Sequence, residues 1–93
     1  MTADDYTLVI APTARRQLTE LLPEPVAFAA YEFILGPLTT HPLRVGKRLA
    51  PPLADRFSAR RGTYRILFRI DENTRTVAIL TIVQRSDAYR SNR

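Results

Sequence analysis

The chain has no cysteine and no tryptophan, a single methionine and three glycines, and Lys47 is its one lysine. Without cysteine there is no disulfide and no thiolate metal site. A domain of this size is then held by packing alone or gains stability from a partner. No apolar run approaches the roughly 18 residues that a membrane span needs. The opening residues, MTADDY, carry two acids and no apolar core of a signal peptide, so a cytoplasmic protein with no membrane partner is expected. Acids are also missing where bases are dense. Between Arg44 and Arg69 lie eight arginine and lysine residues against one acid, Asp55.

What is present is a chain of 93 residues, 45% hydrophobic, with a formal net charge of +5. That is enough apolar residue for one small core, so a single domain over 1–93 is expected and disorder is excluded. The basic block is the electrostatic footprint of a polyanion partner. Arginine grips phosphate through two hydrogen bonds and stacks on bases, so its excess over lysine favours nucleic acid. A coding bias toward arginine is the plain alternative.

The order of elements follows from local signals. YTLVIAP, from Tyr6 to Pro12, reads as a strand ended by proline. In TARRQLTELL, Thr13 can cap a helix whose Ala14, Leu18, Leu21 and Leu22 share a face, and Pro23 stops it. Pro25 suits a helix start, and VAFAAYEFIL runs to a stop at Gly36-Pro37. This second helix is apolar almost all round, so part of it stays wet or meets a partner. A proline-rich connection follows. Strands are then expected at about 56–61, 64–71 and 76–84, joined by tight turns at RRGT and DENTR. The order β-α-α-β-β-β predicts an α+β fold, with two N-terminal helices on one face of a mainly antiparallel sheet of about four strands.

One strand decides the functional reading. In TYRILFRI, Tyr64, Ile66, Phe68 and Ile70 alternate as a core face should, and Arg65 and Arg69 take the other side. If the helices cover the first face, the second is an open cationic floor suited to a phosphate backbone.

RVGKRL, RFSARRGTYRILFRID and VAILTIVQRSDAY, taken in that order, resemble the RelE family of bacterial toxins, in a superfamily that also holds ParE-like gyrase poisons. The resemblance runs from the first strand to Tyr89. It implies the toxin of a type II toxin–antitoxin module, a ribosome-dependent endonuclease that cuts messenger RNA without metal or cofactor. The 2′-hydroxyl attacks the adjacent phosphate and leaves a 2′,3′-cyclic phosphate. Such chemistry needs a base for the 2′-hydroxyl, cations for the phosphorane and a proton for the leaving 5′-oxygen. The implied partners are the ribosome with its rRNA and message, and a cognate acidic antitoxin.

The resemblance carries roles to particular residues. Arg65 matches the arginine that stabilises the transition-state phosphate. Arg85 matches the arginine ending the last strand and Tyr89 the tyrosine that stacks on a base. Arg56 takes the place of a basic residue on the preceding strand. Lys47, Arg48, Arg60, Arg61 and Arg69 are expected to hold rRNA or message backbone. Two departures stand out. Ser58 replaces a lysine that could act as base, and Gln84 replaces a histidine found in many members. Asp87, Tyr89 and an rRNA group are the candidate bases, and the lone histidine, His41, reads as a loop residue. A ParE-like gyrase inhibitor without catalysis and a plain basic RNA-binding module are the alternatives.

Overall fold

A computed structural model describes residues 6–84. Strand β1 (Thr7–Ile10) leads directly into helix α1 (Pro12–Arg16), which continues through a wider π-helical turn over Gln17–Leu21. The helix is entered from Ala11, with Pro12 in its first turn and no side-chain cap. Thr13 is therefore inside the helix and does not cap it, because the fixed φ of proline already suits the first helical position. Leu22 turns out to extended backbone, φ −84° and ψ 147°, as a residue before proline must.

Helix α2 (Glu24–Phe33) does not stop at Gly36-Pro37. It passes through both in a second π-helical turn, Ile34–Leu38. Proline has no N–H for the carbonyl four residues back, and its ring crowds that carbonyl; a wider turn relieves both. Packing holds this turn in place, since Ile34 and Leu38 are fully buried. The short helix α3 (Pro42–Val45) and strands β2 (Lys47–Arg48), β3 (Phe57–Arg61), β4 (Tyr64–Asp71) and β5 (Thr76–Gln84) complete the order.

The sheet has five strands in the order β1-β5-β4-β3-β2. β1 runs parallel to β5 and every other pair is antiparallel. The fifth strand is β2, inside the stretch expected to be a connection. At two residues it is too short to show a period. The hairpin turns fall as expected. Gly62 takes φ +62° between β3 and β4, and Asp71 Oδ1 accepts from the amides of Asn73 and Thr74 between β4 and β5.

The core lies between the helices and one sheet face. Ala14, Ala30, Phe33 and Ile34 meet Ile66, Phe68, Val77 and Ile79 there. Along β5 the buried positions are Val77, Ile79 and Ile82. The step of three is a bulge: Leu67 pairs with Thr81 but Phe68 with Ile79, leaving Leu80 as the extra residue. Gln17 repairs the edge that results. β1 covers β5 only as far as Ile79. Beyond it, Gln17 Nε2 donates to the carbonyl of Ile82 and its Oε1 accepts from the Ile82 amide, both at 2.7 Å. A side-chain amide thus does the pairing of a missing strand residue. At the other end of β1, Tyr6 donates to Glu72 at 2.9 Å and lies under the Arg75 guanidinium.

Candidate active site

Strand β4 separates two environments by alternation. Tyr64, Ile66 and Phe68 are buried under the helices, Arg65 and Arg69 are exposed on the opposite face, and Leu67 is half-buried between them. The register builds the rest of that face. Arg60 on β3 pairs with Arg65, and Ser58 pairs with Leu67. Lys47 on β2 pairs in turn with Ser58. Directly paired residues point to the same side of a sheet. Lys47, Ser58, Arg60 and Arg65 therefore share the face that is helix-free among the described residues, with Arg69 further along β4.

The neighbours of these residues mark the other side. The guanidinium of Arg48 lies 4.7 Å above the ring of Phe57, and that of Arg61 lies 5.3 Å above the ring of Phe33 on α2. Phe57 is buried and stacked on Phe68 with ring centroids 5.7 Å apart. Of the cations expected to hold RNA, Lys47, Arg60 and Arg69 are thus brought together with Arg65. Arg48 and Arg61 go to the helix side.

Charge pairing divides the open face further. The Asp55 carboxylate lies 3.7 Å from Arg69 Nε and 3.9 Å from Arg56 Nε. Arg56 stands one residue before β3, its carbonyl accepting from the Leu49 amide at 2.9 Å. Extending the β3–β4 register by one residue sets Arg56 beside Arg69. Among the described residues, the side chains of Lys47, Arg60 and Arg65 have no acid partner. Like charges directly opposite one another in a sheet are unfavourable, so the Arg60–Arg65 pair favours an anion between its two heads.

The remaining candidates, Arg85, Asp87 and Tyr89, lie outside the described residues. β5 ends at Gln84, opposite Tyr64, and Val83 is the partner of Arg65. Gln84 is the last described residue, and Arg85 is next in sequence. His41 precedes α3, where its carbonyl accepts from the amides of Arg44 and Val45, a loop role as expected. Tyr64 is buried and its phenol pKa is raised by burial, with Arg61 opposing. Its hydroxyl has no hydrogen-bond partner among the described residues.

The sequence reading did not single out the cross-strand placement of Lys47 and Ser58. No periodic signal could have found it, because it depends on a two-residue strand. Among the described residues no three His, Asp or Glu side chains are grouped to hold a metal ion, and no helix is long and apolar enough to cross a membrane.

Comparison with known proteins bears directly on this arrangement. The family described as ParE toxin of type II toxin–antitoxin system, parDE, matches residues 8–89. Toxin RelG of Mycobacterium tuberculosis is 53% identical over 85 residues, covering 91% of this chain and 97% of that protein. Toxin RelE of the same organism is 45% identical over 87 residues, covering 94% and 89%. Among solved structures, the toxin–antitoxin complex RelBE2 from M. tuberculosis superposes with a TM-score of 0.82 at 51% identity, over 87% of this chain and 99% of the other. The isolated E. coli RelE toxin shares the fold, with a TM-score of 0.68 at 16% identity over 94% of each chain. The chain belongs to the RelE/ParE family and is a RelE-type toxin of a type II toxin–antitoxin system.

Proposed function

We propose that this toxin is a ribosome-dependent endonuclease for messenger RNA. The observation that carries the reading is the cross-strand pair Arg60–Arg65, with no acid partner among the described residues, on the helix-free face. Two guanidinium groups side by side fit a phosphate that gains charge as it becomes a phosphorane. Arg65 stabilises that charge, while Lys47, Arg60 and Arg69 hold the strand. Arg85 adds charge stabilisation at the leaving side and Tyr89 stacks on a base. The 2′-oxygen forms a bond to phosphorus, the bond from phosphorus to the 5′-oxygen breaks, and the products are a 2′,3′-cyclic phosphate and a 5′-hydroxyl. The ribosome contributes alignment of the attacking and leaving oxygens, a positioning effect worth several kcal/mol of barrier.

The same reading includes an acidic antitoxin. It would neutralise the cationic face and cover apolar side chains that α2 leaves in water. Phe28 and Tyr31 are 64% and 45% exposed and line a groove of about 410 Å³ with Ile10 and Leu18. The M. tuberculosis neighbour was solved as a toxin–antitoxin complex, which supports a partner of this kind.

A gyrase poison is the second reading, favoured by the ParE description of the matching family. Primer extension on message from cells expressing the protein separates the two. Cuts inside translated codons are expected. Intact message with DNA breaks would overturn the nuclease reading in favour of gyrase.

A further inference from the structure

We infer that a hollow on the helix side of the β3–β4 hairpin holds one unpaired base of an RNA. The inference rests on RNA being the partner and goes beyond the nuclease reading. The hollow measures about 440 Å³. Glu32, Phe33 and Pro37 line it from the end of α2 and the turn that follows, and Arg61, Gly62 and Tyr64 line it from the hairpin.

Tyr64 is the observation that points to a ligand. It is 6% exposed, and its hydroxyl has no hydrogen-bond partner among the described residues. An unpaired buried hydroxyl costs stability, so its presence needs a reason. Packing supplies none: Ile66 and Phe68 fill the same side of β4 with apolar groups alone. The hydroxyl is a donor without an acceptor.

Its neighbours define what that acceptor belongs to. The Arg61 guanidinium lies 5.3 Å from the centre of the Phe33 ring, a cationic plane in the wall of the hollow. Guanidinium planes stack on bases. Burial raises the Tyr64 phenol pKa and the Arg61 charge opposes that rise, so guanidinium and hydroxyl are neighbours. Glu32 is exposed at the rim, and neither it nor Arg61 has an ion-pair partner among the described residues. A stacking plane, a donor and an acceptor together match a nucleobase, whose polar edge sets an acceptor beside an N–H group. A phosphate would meet Arg61 and Tyr64 but would be repelled by the Glu32 carboxylate. The hydroxyl is itself shut off from water. Arg61 and Glu32 are long and exposed, and rotation of their side chains admits the base.

The hairpin joins this hollow to the arginine face. Arg60 pairs with Arg65 on one side of the sheet, while their chain neighbours Arg61 and Tyr64 pair with each other and line the hollow on the other. A single strand rounding the turn at Gly62 meets phosphate ligands on one side and base ligands on the other.

The test uses fluorescence anisotropy with short oligo(A), oligo(C) and oligo(U), together with binding to vacant ribosomes, at one low salt concentration. Y64F should weaken oligomer binding about three- to tenfold, the loss of one buried hydrogen bond. Its guanidinium chloride midpoint should be unchanged or higher. A loss confined to ribosomes would place a base of ribosomal RNA in the hollow and support the site equally. Wild type should rank the three oligomers, and E32A should bring their affinities to within about twofold of one another, because the acceptor that reads the base edge is gone. If E32A instead tightened all three alike, a phosphate would occupy the hollow and the base assignment would fall. A lower midpoint for Y64F would reveal an internal partner for the hydroxyl and would also overturn the site. Unchanged binding by Y64F to both probes would overturn the site and leave the nuclease reading standing. Failure of wild type to bind either probe would overturn both.

Discussion

Gly46 and Phe68 are in contact so close that no side chain fits between them: a Cβ on Gly46 would stand 2.5 Å from Cζ and 3.1 Å from Cε1 of the ring. The backbone of Gly46 is ordinary, with φ −106°. Close approach, not conformational freedom, therefore requires glycine there. Phe68 cannot yield, because it is fully buried and stacked on Phe57.

Gly46→Ala is accordingly expected to destabilise the fold by about 1–3 kcal/mol, the usual cost of overpacking. Guanidinium chloride denaturation measures it. An unchanged midpoint would show that β2 gives way freely.

Asp55 is the only acid within the basic block, and it engages two arginines at 3.7 and 3.9 Å. Asp55→Asn should raise affinity for a short single-stranded RNA at low salt. The slope of log affinity against log salt should steepen by about 0.7 for each arginine that gains a phosphate. Fluorescence anisotropy across a salt series reads both. Weaker binding by the variant would mean that Asp55 orders the two arginines instead of restraining them.

Tyr64 is buried with its hydroxyl unsatisfied among the described residues, and burial raises its pKa above 10.0. A phenol whose folded pKa is raised favours the protonated form. Its contribution to stability is full below the unfolded pKa of about 10 and is lost as pH rises through the folded value. Tyr64→Phe should therefore be neutral or stabilising by about 1 kcal/mol near pH 7, since an unpaired buried hydroxyl costs free energy. It should also flatten the fall in stability above about pH 10. Thermal unfolding from pH 7 to 11 checks both signs, and a loss of several kcal/mol at pH 7 would reveal a hydrogen-bond partner for the hydroxyl.

Arg65 is exposed, and its side chain has no acid partner among the described residues. Arg65→Ala should leave stability within about 0.5 kcal/mol. It should raise the barrier to message cleavage by about 2.7–4 kcal/mol, with the loss of a preorganised transition-state donor as guide. Denaturation and single-turnover cleavage, measured on one preparation, separate the two quantities. Retained cleavage would remove Arg65 from the centre.

Strands β4 and β5 were readable to the residue, because half-buried strands alternate and their turns carry Gly62 or Asp71. The open cationic face followed from the same alternation. The failures are equally physical. Gly36-Pro37 reads as a stop only if helices cannot widen, and burial of Ile34 and Leu38 favours the wider turn. The placement of Arg48 and Arg61 was not legible either: each lies over an aromatic ring on the helix side. A cation's face depends on its strand partner, which composition does not carry.

The pairing of β1 with β5 also sets a schedule. Thr7 finds its partner at Thr76 and Ile10 at Ile79, so the first strand made must wait for nearly the last. While the chain is being synthesised, β1 and the edge of α1 have nothing to dock on, and β4 lacks one neighbour. Non-local closure of this kind is slow, because chain entropy is lost before contacts repay it. A nascent copy thus carries all eight bases of its central block, and the local β2-β3-β4 pairings that align them, before β5 completes the sheet. The hairpins that carry the cations pair locally, but the sheet that backs them closes only when β5 enters between β1 and β4.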